Sequence, residues 1–255
     1  MSRIARLVAA AAGLLLAGVV AACGTVTHSQ VVSDFTVPAF SFHGELNSVA
    51  AASAGDAWAV GFSGGPLSGV GTLMLHWDGT TWSRVTSPAV LDGAPGILTD
   101  VTAVSAGDAW AVGSAGASSV TESGSVGKPL LLHWDGTRWS QAAGVPAVAG
   151  NLAGIAMSGH SGWAVGTSWV AGHPQPLVLR WDGTRWHRVA VPAGPGDPEL
   201  TRVVAMPGGT AWAIGNVAQR GSLPGHGTVL VPGHGMALHW DGSSWHWTPV
   251  PPPGP

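Results

Sequence analysis

Tyrosine is missing from all 255 residues, and cysteine occurs once, at position 23. Without tyrosine there is no phenolic nucleophile or radical. A single thiol excludes an intrachain disulfide and any paired-cysteine metal site. Charged residues make up only 9% of the chain and the formal net charge is −3, so nothing forms the basic footprint that nucleic acid requires. Long apolar runs are scarce too: the one from Leu7 to Val20 covers fourteen residues, short of the roughly twenty that span a bilayer. No phosphate-binding glycine loop, nucleophile elbow or zinc-protease helix occurs, so no cofactor and no metal is expected.

What the chain has is tryptophan, and it is periodic. Twelve of fourteen tryptophans fall in a phrase written four times, at Trp58, Trp77 and Trp82; Trp110, Trp134 and Trp139; Trp163, Trp181 and Trp186; Trp212, Trp240 and Trp245. A repeat near fifty residues marks a fold built of identical units. Each copy opens with L-x-x-[VI], as at Leu46 to Val49, and continues through a turn into a strand such as Ala57-Trp58-Ala59-Val60-Gly61. A third strand, Leu73 to Trp77 in the first copy, is apolar on both faces and must be covered on both. It ends in Asp-Gly, and a four-residue loop returns a second tryptophan opposite the first, a hairpin signal. Four short antiparallel strands per repeat predict an all-β chain, a β-propeller of four-stranded blades, four in number. A two-sheet sandwich is the alternative.

The amino terminus carries Arg3 and Arg6, then the apolar stretch, then Val20-Ala21-Ala22-Cys23-Gly24. This phrase resembles a bacterial lipobox, in which the leader is removed before a lipidated cysteine. The resemblance implies a signal peptide over 1–22, lipid on Cys23, and anchoring to the outer face of the cell membrane after export. Residues 23–45 then form a tether, within which Asp34 to Phe40 is a possible ring-closing strand. The propeller is expected over 46–248, with a proline-rich tail at 249–255.

Phrases such as Ser105-Ala106-Gly107-Asp108-Ala109-Trp110-Ala111-Val112-Gly113 and His133-Trp134-Asp135-Gly136-Thr137-Arg138-Trp139 resemble the repeats of secreted actinobacterial β-propeller proteins, in the broad kelch-like and galactose-oxidase-like group. The resemblance covers 46 to about 248 and implies the fold, while that group includes enzymes and binding modules alike. The kelch glycine pair and the sialidase Asp box do not recur here. The missing tyrosine excludes the Tyr–Cys copper centre of galactose oxidase and the sialidase nucleophile.

Residues repeated once per blade, such as His76, His133 and His239 or the Asp-Gly carboxylates, are dispersed around the ring and read as structural. Function is expected where copies differ, in the second-to-third-strand segments 62–72, 114–129, 167–176 and 216–235, which with the fourth-to-first connections share one face. The candidate ligand-binding residues there are Lys128, Trp169, His173, Arg220, His226 and His234. Asp100 and Arg202, on inner strands of facing blades, are a candidate pair at the central channel. The leading expectation is a lipid-anchored binding module for an envelope glycan, peptide or protein. An extracytoplasmic glycan-active hydrolase or lyase using Asp92, Asp197 or Glu199, and a purely structural envelope component, are the alternatives.

Overall fold

The computed structural model describes residues 44–65, 69–88, 95–116, 127–194, 196–223 and 227–251, and these are all-β. Four antiparallel sheets of four strands follow one another along the chain, each in simple up-and-down order. The first blade holds β1 (Gly44–Ser53), β2 (Asp56–Gly65), β3 (Gly69–Trp77) and β4 (Trp82–Arg84). The second holds β5 (Gly96–Ser105), β6 (Asp108–Ala115), β7 (Lys128–Trp134) and β8 (Trp139–Gln141). The third is β9 (Gly150–Ser158), β10 (Ser161–Val170), β11 (His173–Trp181) and β12 (Trp186–Arg188). The fourth is β13 (Asp197–Ala205), β14 (Ala211–Leu223), β15 (Gly227–Trp240) and β16 (Trp245–Thr248). One repeat is one blade, and consecutive blades stack face to face through three interfaces; among the described residues β13 does not pack back on β1, and the four sheets do not close into a ring.

Every innermost strand carries the same bulge. Asn47, Thr99, Ala153 and Thr201 fall out of register against the second strand, and the preceding leucine pairs with the glycine that ends each W-A-[VI]-G phrase. The bulge explains that glycine: a Cβ at Gly61, Gly113, Gly166 or Gly215 would overlap the carbonyl oxygen of Glu45, Ile97, Asn151 or Glu199. The Asp-Gly hairpins are equally uniform. Gly79, Gly136, Gly183 and Gly242 have φ between 90° and 106°, where only glycine is comfortable.

The tryptophans form trios. The hairpin pairs foreseen from the spacing are present, with ring centroids 5.7 Å apart for Trp77–Trp82 and 6.0 Å for Trp134–Trp139. Into each later pair the preceding blade inserts a third ring: Trp58 lies 4.9 Å from both Trp134 and Trp139, Trp110 lies 5.0 Å from Trp181, and Trp163 lies 4.9 Å from both Trp240 and Trp245. Leu98, Val101, Leu130 and Leu132 complete the first of these cores around Trp58 and Val60. The hydrophobic core is therefore divided among the blade interfaces.

Candidate functional site

The repeated polar residues are consumed by the scaffold. His76 packs at a tilt on Trp58 and His133 stacks on Trp110, and they bond Asp56 and Asp108 at 3.1 and 3.0 Å, while Arg180, in the same place in the third blade, lies over Trp163 and Trp240. Each Asp-Gly carboxylate closes its own turn: Asp135 Oδ1 accepts from the amides of Thr137 and Arg138, both at 2.9 Å, and from the Thr137 hydroxyl at 2.6 Å. These bonds, the threonine hydroxyl first, hold the Asp78 and Asp135 carboxyls down at about 2. The same arrangement lowers Asp182, and at Asp241 the Ser244 and Ser243 amides contribute most.

Asp100 and Arg202 do not pair with each other. Asp100 takes the Ser48 hydroxyl at 2.6 Å and its own neighbour's amide at Val101, and its second oxygen accepts from the Ile155 amide at 3.0 Å. Arg202 donates to the carbonyls of Thr201 and Ala153 at 2.8 and 3.3 Å. Both carry out local satisfaction of inner-strand polar groups, since each finds partners on an adjacent blade before reaching across the axis.

The segments expected as variable loops are largely extended arms of the β2–β3, β10–β11 and β14–β15 hairpins. Glycine and proline suggest loops, but cross-strand pairing carries the ribbon through them. Trp169 is thus a half-buried strand residue of β10 facing Pro174, and Lys128 is the exposed start of β7. His234 is exposed on β15, and Arg220 belongs to β14. His226, Asp92 and the Asp34 to Phe40 segment lie outside the described residues.

One of the six, His173, lines a cleft of about 770 Å³ on the variable-hairpin face of the third blade. The β10–β11 arm supplies Val170, His173 and Pro176; the connection after β12 supplies Arg188 and the run from Val189 to Gly194. The arm turns through Ala171 and Gly172, both at positive φ (50° and 79°), the geometry of a two-residue hairpin. Ala171 is the only non-glycine residue so placed among the described residues, a strained corner beside the cleft.

At the rim His173 Nδ1 and Asp197 Oδ1 are 3.0 Å apart, joining the third blade to the start of β13. Arg188 donates to Ser168 Oγ at 3.4 Å, which draws its guanidinium across β11 towards β10. The opposite wall is fixed from the fourth blade: the Trp247 indole donates to the Pro192 carbonyl at 3.1 Å, and its ring leaves no room for a side chain at Gly194. Two residues along β13 from Asp197, Glu199 is half-buried; burial pushes its carboxyl up, the Asn216 amide opposes the shift and the Asp197 charge adds to it. Among the described residues no three His, Cys, Asp or Glu side chains converge as a metal would require.

Trp247, one of the two tryptophans outside the repeated phrase, has no role in the sequence pattern, and sequence reasoning missed Arg188. The available signal was positional: two residues after each hairpin's second tryptophan stand Arg84, Gln141, Arg188 and Trp247, a variable place in an otherwise uniform hairpin. No protein-family model matches the chain, and no curated protein is similar to it.

Proposed function

We propose that the chain is a lipid-anchored, extracytoplasmic β-propeller that acts as a binding module at the cell envelope. The observation that carries this reading is the cleft beside His173 and Arg188, which lies on the face where hairpin length varies. Its lining alternates aliphatic residues and prolines, among them Val170, Pro176 and Pro192, with the polar His173, Gln175 and Arg188, and apart from the His173 imidazole it offers no aromatic ring on which a sugar would stack. Such a trough suits an extended peptide or protein segment, with an acidic group meeting Arg188. The lipobox-like phrase ending at Cys23 supports the envelope location.

Capture from solubilised envelope extracts tests the reading. Wild type should retain a partner that both Arg188→Ala and His173→Ala lose, while Thr137→Ala, in a tight turn on the opposite face, retains it. Loss in the Thr137 variant alone, with the protein folded, would move the functional face to the other side. One observation favours catalysis instead: the raised Glu199 carboxyl beside Asp197 is the pattern of a general acid. Glycan cleavage by the wild type that Glu199→Gln abolishes would establish that second reading.

A further inference from the structure

The three blade interfaces are one junction built three times. Its leading half is a tryptophan and the β-branched residue two places on: Trp58 with Val60, Trp110 with Val112, Trp163 with Val165. Its receiving half is the next blade's L-x-x-[VI] pair and hairpin tryptophans. The leading tryptophans are at most 3% exposed and their valines fully buried, whereas Trp212 and Ile214, the same positions in the last blade, are 38% and 52% exposed. On the receiving side, Val49 is 65% exposed where its counterparts reach at most 7%, and Leu46 and Trp82 are also exposed. Ala59, Leu73 and Leu75 form an isolated cluster, although their counterparts belong to inter-blade cores.

A polar observation points the same way. The bulged residue reaches the next blade's leucine carbonyl, Asn47 to Leu98 at 2.7 Å and Thr99 to Leu152 at 2.8 Å. Within its own blade Thr99 Oγ1 also lies 3.2 Å from the Val112 carbonyl, so its one proton is shared between the two acceptors. Thr201 at the last bulge repeats only the internal bond, to Ile214 at 3.3 Å. Its inter-blade acceptor would be the carbonyl of a Leu46.

We propose that these two terminal faces join different copies of the chain head to tail, two copies making an eight-bladed ring. The faces are complementary rather than alike, so the contact is heterologous, and used twice about a two-fold axis it closes. Eight blades lie within the range of about four to eight that propellers use. Rotation about the ring axis leaves the variable hairpins of both copies on one side. The occupant must present a tryptophan and a β-branched residue at strand spacing to Trp77 and Trp82, and the last blade of a second copy does so with Trp212 and Ile214.

Native mass spectrometry and light scattering on the full chain in detergent test this. Wild type should have twice the mass of one chain. Ile214→Arg destroys the leading half and Val49→Arg the receiving half; each variant alone should show the mass of one chain. Mixed together they retain one intact junction and should form a one-to-one pair, with an affinity at least about tenfold weaker than the wild-type assembly. Both substitutions replace side chains already in solvent, and unchanged circular dichroism confirms folding. A single-chain mass for wild type at all soluble concentrations, the result of self-closure or of a different partner, would overturn the proposal. So would a two-chain mass that neither arginine disturbs.

Discussion

A carboxylate that accepts two backbone amides and a hydroxyl stabilises the fold only while it is ionised. At Asp78 and Asp135 the folded value is held at about 2, below the ordinary value of 3.8, so their contribution is complete above that ordinary value and disappears as pH falls through about 2. The share of the melting temperature that these turns carry should therefore be constant above about pH 5 and be lost towards pH 2, and Asp78→Asn with Asp135→Asn should flatten that acid fall. A mutant that melts with the wild-type acid profile would show that the turns do not depend on ionisation. Glu199 has the opposite sign. Its raised value means that stability is present below the unfolded value and is lost as pH rises through the folded one. Glu199→Gln should melt higher than wild type at pH 7, and the difference should vanish in acid. Asp100 ties three inner strands, and Asp100→Ala leaves the Ile155 amide without its acceptor, at a cost of about 1–3 kcal/mol by denaturant titration.

Each blade depends on two element-level devices, the bulge on the innermost strand and the tryptophan hairpin. The glycine opposite the bulge faces backbone, which cannot rotate away, so Gly113→Ala should destabilise by about 1–3 kcal/mol or prevent folding. A melt unchanged from wild type would show that the bulge is not present in solution. Trp139 is buried against Trp58 and Trp134, and Trp139→Ala should cost about 3–5 kcal/mol. Because Trp58 belongs to the previous blade, that loss should be strongly non-additive with Trp58→Ala in a double-mutant cycle. Independence of the two would place the rings apart.

For the whole molecule, the proposed lipid anchor would set how the variable-hairpin face is presented. Cys23→Ser should move the protein from the membrane fraction to the soluble one, and mass spectrometry of the wild type should find the thioether-linked lipid on Cys23. Recovery of soluble, unmodified wild type would remove the anchor from the proposed function. Stability spread over interfaces between neighbouring blades, rather than over one central core, also predicts that a variant in the last interface, such as Trp245→Ala, loosens the fourth blade first. Hydrogen exchange should show β13 to β16 losing protection before β5 to β8.

Repetition made the scaffold legible. A tryptophan recurring at the same place in four copies reports a repeated environment, so strand order, hairpins and blade count could be read from residues such as Trp134, Asp135 and Trp139 before any coordinates. Local chemistry also disclosed that the Asp-Gly carboxylates serve their turns, since an Asx turn is completed within four residues. Tertiary structure decided what depends on neighbours distant in sequence. The third ring in each trio comes from another blade, and the described arms of the first, third and fourth variable segments became ribbons because their partners fix them. Asp100 turned to Ser48 and Ile155, more than fifty residues away on either side. The cleft likewise combines the β10–β11 arm with the connection after Arg188, which is held from behind by the Trp247 indole of the next blade, a proximity that follows from stacking one blade on the next. Whether Trp212 and Val49 are buried is set by what meets the end of the stack, a property of packing that no pattern within a single repeat encodes.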